Sequence, residues 1–199
     1  VYLLGEEHAM QVPIILAHPA QRSYNHALAE RVSRSLEQMN HTGVLHDLYR
    51  EGFDPVLTEE ELARKFSFDP AVQGYTEELE GAGGLVFVHP DWWGQPPAML
   101  KGWLDRVLRT GVAYEFEGSE FGRKEQVGLL GHLRVLVIVT TDSHASGQDL
   151  QRLWEERVLP GCGITEGRVA LYGPMFDAAP GQRRRWLDDA TTVVRERFA

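Results

Sequence analysis

Hydrophobic positions along the chain follow two different periods. Val12 to Ala17 (VPIILA), Leu85 to Val88 (LVFV) and Arg134 to Thr141 (RVLVIVTT) are short apolar runs, β-branched in part and bounded by turn residues. That is the pattern of strands buried on both faces. Val44 to Leu48 (VLHDL) alternates apolar with polar residues and belongs nearer a sheet edge; Arg168 to Tyr172 (RVALY) reads as a last strand. Between these runs the period becomes helical. Ala27, Leu28, Val32, Leu36 and Met39 recur at helical spacings behind Ser23 or Asn25 as N-cap, and the pattern stops near Gly43. A helical passage spans 59–80. The stretch PPAMLKGWLDRVLR opens with prolines, tolerated in a first turn, and aligns Met99, Leu100, Trp103, Leu104, Val107 and Leu108 on one side. Residues 148–158 and 182–197 read as two further helices.

Strands alternating with helices specify a parallel sheet covered on both faces. Five such units in 199 residues predict an α/β fold with strand order 2-1-3-4-5, since a closed barrel takes about 250 residues. Ligands of such sheets lie beyond the carboxyl ends of the strands, at the switch point between strands one and three. The loops at 18–25, 89–95 and 140–147 therefore carry the candidate chemistry. Residues 10–199 form a single domain in this reading, and 1–9 an extension ahead of Met10, a candidate natural start.

Composition narrows the classes. With 43% apolar and 25% charged residues the chain suits one packed domain, and 20 Lys and Arg against 29 Asp and Glu, net −9, offer no basic face for a nucleic acid. The one cysteine, Cys162, excludes an internal disulfide and any zinc site needing two thiolates, and it fits a reducing, cytoplasmic setting. No run approaches the roughly 20 apolar residues of a membrane span, so no direct membrane insertion is expected. The eight histidines show no HExxH or similar spacing, so no metal is expected.

The first loop, HPAQRSYN, lacks both GxxxxGK[ST] and GxGxxG. It does set His18, Arg22, Ser23 and Asn25 at the mouth of a helix, where free N–H groups and the dipole favour a phosphate; Ser23 and Asn25 would serve equally as plain caps. The second loop, HPDWWGQPP, brings Trp92 and Trp93 to the end of a buried strand, as faces for a planar ligand or as a dimer contact, and Gly94 permits close backbone approach. The third, TTDSHASG, supplies the hydroxyls of Thr140 and Thr141. Asp142, Ser143 and His144 are consecutive and no GxSxG elbow accompanies them, which argues against a hydrolytic triad. Arg183-Arg184-Arg185 reads as a solvated helix face, with a phosphate or partner contact as the alternative.

The block HPDWWGQPPAMLKGWLDRVLRTGVAYEF resembles the signature of the NAD(P)H quinone oxidoreductases of flavodoxin-like fold, in which a Pro-containing aromatic loop precedes P-A-x-L-K-G-W-x-D/E-R-V and G-x-A-Y. AHPAQRSYNHAL resembles their flavin phosphate loop, and VIVTT the strand before their third flavin loop. With DLQRLWEERVLPGCGI included, the resemblance spans roughly residues 12–198. It implies a flavodoxin-like three-layer sandwich with a five-stranded parallel sheet, FMN or alternatively FAD as cofactor, NADH or NADPH as electron donor, and ping-pong transfer of two electrons to a quinone-like acceptor. It also implies a homodimer with Trp92 or Trp93 close to the partner. Residue by residue, it places His18, Ser23, Tyr24 and Asn25, with Arg22 as neighbour, at the flavin phosphate. Pro90, Asp91, Trp92, Trp93 and Gly94 line the isoalloxazine, and Thr140, Thr141, Asp142 and Ser143 form the opposing loop. Two departures accompany it. Many relatives follow the Thr pair with Gly-Gly where this chain has Asp142-Ser143, and His144 is the one candidate for the catalytic Tyr and His that larger relatives place beyond that loop. The family includes ancillary reductase subunits of potassium efflux systems, so a regulatory subunit of a membrane antiporter is an alternative role. A flavodoxin-type electron carrier is another.

Overall fold

A computed structural model describes residues 9–118 and 124–199, with backbone alone for 144–146. The proposed extension falls almost entirely outside the described residues. Strands β1 (Gln11–Leu16), β2 (Thr42–Asp47), β3 (Gly84–Pro90), β6 (Arg134–Thr140) and β7 (Arg168–Tyr172) form one parallel sheet, ordered β2-β1-β3-β6-β7. Numbered within that sheet alone, the order is the expected 2-1-3-4-5, and the alternating strand β2 is indeed at an edge. A separate antiparallel hairpin, β4 (Tyr114–Glu117) with β5 (Glu125–Gly128), was not foreseen. Its segments YEFE and EQVG are too short and too polar to register as strands.

Successive side chains of a strand point to opposite faces, which explains why β3 and β6 are apolar nearly throughout. On one face Ile14, Leu16, Val86, Val88, Leu136 and Ile138 pack with residues of α1 (Tyr24–Glu37) and α7 (Pro180–Phe198), among them Leu28, Val32, Val194 and Phe198. On the other, Ile15, Leu85, Phe87, Val135, Val137 and Val139 meet Leu79 of α3 (Pro70–Gly81), Trp103 and Val107 of α4 (Ala98–Val107), and Leu150 of α5 (His144–Leu153). The two helical layers complete the flavodoxin-like sandwich.

The single helical passage expected over 59–80 is two helices, α2 (Glu59–Arg64) and α3. Lys65 ends α2 in the left-handed region at φ 54°. Asp69-Pro70 starts α3, because a residue before proline is pushed out of the helical region and Asp69 Oδ1 accepts from Ala71 N at 2.9 Å as the N-cap. The helix expected over 148–158 begins earlier and changes register, passing from α5 into a π turn, Trp154–Val158, and then α6 (Leu159–Gly161). Pro160 cannot continue an α ladder, lacking the N–H and crowding the carbonyl four residues back. The wider π register takes Leu159 N to Trp154 O just ahead of it. Cys162 is buried there, and burial pushes its thiol up to about 11, leaving an unreactive core residue. Among the described residues no helix is long and apolar enough to cross a membrane.

Candidate functional site

Helix α1 starts a few residues beyond β1. Ser23, in extended conformation, is its N-cap, and its Oγ accepts from His26 N at 3.4 Å. Asn25, the other candidate cap, lies instead in the first turn, 3% exposed, with Nδ2 donating to Thr140 Oγ1 at 2.9 Å. The mouth of α1 is thereby tied to the end of β6. His26 adds a second tie, with Nδ1 2.8 Å from Ser23 Oγ and Nε2 2.9 Å from Asp47 Oδ2 at the end of β2. First-turn N–H groups have no intrahelical partner, so those of Tyr24 and Asn25 are available to an anion. His18 Nδ1 accepts from Ala20 N at 3.0 Å, which leaves the ring proton on Nε2. Partial burial holds this imidazole below its ordinary value, so it offers one N–H without a charge.

The second loop closes as a two-residue hairpin. Trp92 N donates to Gln95 O at 3.0 Å, Gln95 N donates to Trp92 O at 3.2 Å, and Trp93 and Gly94 have φ 62° and 73°. Positive φ at both central residues makes a type I′ turn. Glycine tolerates this freely, whereas a tryptophan there is strained by about 1–2 kcal/mol, and Trp93 is 99% exposed, so packing does not offset the strain. Asp91 fixes the loop from below: its N donates to Thr140 O at 2.7 Å, Oδ1 accepts from Gly94 N at 2.8 Å and Oδ2 accepts from Thr141 Oγ1 at 2.8 Å. Across residues 91–95, Trp93 N–H is the one backbone donor without a partner among the described residues. Trp93→Asn installs the Asn-Gly pair that such turns favour and should raise stability by about 1 kcal/mol in urea denaturation; an unchanged or lowered midpoint would contradict the strain argument.

In the third loop, Thr141 Oγ1 accepts from Ser143 N at 3.0 Å. Asp142 does not cap α5; its Oδ1 accepts from Phe176 N, in the loop after β7. Met175 N donates to Thr141 O at 3.0 Å, Arg183 Nη2 donates to Met175 O at 2.9 Å, and Tyr24 Oη donates to Arg183 O at 2.5 Å. The 173–179 segment thus becomes a wall between the third loop and α1. The cleft so formed measures about 290 Å³. His18, Tyr24 and Asn25 line it from the first loop, Pro90, Asp91 and Trp92 from the second, and Thr140, Thr141 and Asp142 from the third.

The remaining candidates stand outside the lining. Ser23, Gly94 and Ser143 shape its backbone, Arg22 is exposed, and Trp93 projects into solvent at the rim. The side chain of His144 lies outside the described residues. Met175 and Arg183 also line the cleft and were missed: the triple-arginine run hinted at Arg183, but only the tertiary course of 173–179 brings it round. Among the described residues no group of three or more His, Cys, Asp or Glu could hold a metal ion.

A family profile described as a flavodoxin-like fold matches residues 10–190. A Haemophilus influenzae protein named an uncharacterized NAD(P)H oxidoreductase is 35% identical over 170 residues, covering 80% of this chain and 82% of that protein. The chain belongs to the flavodoxin-like NAD(P)H quinone oxidoreductase family. This family member also superimposes on the NAD(P)H:quinone oxidoreductase of Methanothermobacter marburgensis with a TM-score of 0.82 at 26% identity, covering 94% of this chain and 98% of the other. An FMN-dependent NADH-azoreductase of Bacillus anthracis, solved in complex with FMN, shares the fold at 18% identity, TM-score 0.71, with coverage of 95% and 97%. Membership makes the flavodoxin-like chain an oxidoreductase.

Proposed function

We propose that the cleft holds a flavin, FMN, and that the protein moves two electrons from NADH or NADPH to a quinone-like acceptor. The observation that carries this reading is the convergence in one cleft of donors for a phosphate and an apolar face for a planar ring. The N–H groups of Tyr24 and Asn25, with His18 Nε2–H, suit the phosphate; Pro90 and the Trp92 indole suit the ring, with the Trp93 N–H on the turn that borders them. The names of the Haemophilus and Methanothermobacter relatives support the donor and acceptor classes, and the FMN in the Bacillus fold relative supports the cofactor. When bound, the flavin supplies the redox chemistry, accepting hydride from the nicotinamide and passing two electrons to the acceptor.

The protein's own part is positioning. The Ser23 cap and the His26–Asp47 pair hold the helix mouth, and Asp91 aims the turn that carries Trp93 N–H. Asp142, engaged with Phe176 N, keeps a carboxylate at the rim that disfavours further negative charge nearby. Donor and acceptor occupy one open face in turn, which gives a ping-pong order, in a cytoplasmic homodimer with the exposed Trp93 near the partner. The test is anaerobic addition of NADH or NADPH to flavin-loaded protein, followed by a quinone. Bleaching of the flavin band and its return, with parallel steady-state lines, is the expected result; retained flavin that neither nucleotide bleaches would overturn the reductase reading.

A further inference from the structure

The strand that feeds the second loop ends in a buried histidine with no part in the cleft lining. His89 is 0% exposed, its Nδ1 is 2.8 Å from Pro90 O, and its Nε2 accepts from Trp154 Nε1 at 3.2 Å. A carbonyl can only accept and an indole N–H can only donate. One neutral tautomer, protonated at Nδ1, satisfies both neighbours, and a second proton would set N–H against N–H. Burial acts in the same direction, pulling this imidazole down to about 4 against the weaker influences of Pro90 O and Asp91. His89 therefore holds one hydrogen-bonding pattern throughout the neutral range and moves no proton.

We infer that His89 is a positioning residue for the cofactor loop, which sets the plane of the Pro90–Asp91 peptide and through it the aim of the Trp92–Gln95 turn. This rests on the flavin reading of the cleft. In a trans peptide the C=O and the following N–H point in opposite directions, and the unit is rigid. Here the Pro90 carbonyl is engaged by His89, while Asp91 N–H reaches Thr140 O at 2.7 Å on β6. The plane is clamped from both sides where the chain leaves the sheet. Asp91 then passes the orientation on through its bonds to Gly94 N and Thr141 Oγ1, which hold the turn that presents Trp93 N–H. The far anchor, Trp154, is 0% exposed, opens the π turn and stacks on Phe87 with ring centroids 4.8 Å apart. A purely apolar side chain would fill this space without burying two polar ring atoms, which is unfavourable unless both are bonded. The histidine contributes direction rather than packing.

Two near-isosteric variants separate its two bonds. In H89N the amide N–H lies near the place of Nδ1 and serves the Pro90 carbonyl alone; in H89Q the amide oxygen lies near the place of Nε2 and serves Trp154 alone. FMN affinity by fluorescence quenching, the midpoint potential of bound FMN and thermal stability are read for wild type and both variants. H89Q should bind FMN roughly tenfold more weakly, the loss of about one hydrogen bond's orientation, with a shifted potential. H89N should keep wild-type affinity and potential although its stability falls as well. Equal behaviour of the two variants, or loss in H89N with retention in H89Q, overturns the inference and makes His89 a partner for Trp154 packing. Wild-type protein that binds no FMN overturns the flavin reading first, and this inference with it.

Discussion

Arg106→Met should destabilise the protein by about 3–5 kcal/mol at pH 7, because it strands a buried carboxylate. The Arg106 and Glu61 side chains are 3% and 6% exposed, with Nη2 2.8 Å from Glu61 Oε1 and 2.9 Å from Asp69 Oδ2, while Nη1 donates to the Asp54 carbonyl at 2.6 Å. Burial by itself raises Glu61, but the guanidinium, the Ser67 hydroxyl and the Thr58 backbone N–H outweigh it and hold the carboxyl at about 2. A folded-state value below the unfolded one means that Glu61 contributes stability fully above about pH 4.5 and loses it as pH falls toward 2. Once Arg106 is removed, burial is opposed by fewer partners. The deficit relative to wild type should then be largest at neutral pH and shrink in acid as the stranded group takes up a proton. Urea denaturation at pH 7 and pH 4.5 measures both quantities, and E61Q should recover part of the loss in the R106M background. A deficit below about 1 kcal/mol at pH 7 would mean that the cluster behaves as a solvated ion pair.

Arg106 belongs to the KGWLDRV block that carries the family resemblance, and its neighbours are structural as well. Trp103 is fully buried, and a Cβ on Gly102 would lie 2.2 Å from Pro55 O, so glycine is required where the 53–56 segment crosses α4. The block that identifies the family thus builds the platform, while the chemistry sits on the three loops ahead of and behind it.

His18→Phe should weaken FMN binding by roughly 10- to 100-fold, the equivalent of a hydrogen bond of about 1.5–3 kcal/mol to a charged group. His18 lines the cleft, and with Nδ1 occupied by Ala20 N its Nε2–H is the donor left for a ligand there. Phenylalanine keeps a ring near Trp92, whose centroid is 6.3 Å away, and removes the donor. Because the imidazole is held neutral by partial burial, its contribution is a dipole and not a charge. The defect should therefore vary little between pH 7 and 8.5, whereas a charged His18 would make it deepen on acidification across the neutral range.

Much of this arrangement was legible beforehand. Strands buried on both faces cannot alternate, so VPIILA, LVFV and RVLVIVTT declared the centre of the sheet, and its order gave the three loops an address. Ser23 was readable as a cap because its residue type and its position before an apolar periodic run agree. Asn25 was not assignable, since its partner, Thr140, is remote in sequence. The break at Lys65, the π turn at Trp154–Val158 and the polar hairpin leave almost no periodic trace. Arg183 and Met175 reach the cleft through hydrogen bonds of an irregular loop, which no local pattern encodes. His89 reads as the first residue of the loop that closes LVFV; its meaning comes from Trp154, 65 positions further along.

The most direct measurement is an equilibrium titration of FMN with flavin-free protein, followed by desalting and a visible spectrum. Stoichiometric quenching of FMN fluorescence, retention of the flavin band through desalting and a clearly weaker H18F variant are the results that a flavin-holding cleft predicts. No quenching by the folded wild-type protein, or equal affinity in wild type and H18F, would contradict the assignment of the flavin to this cleft.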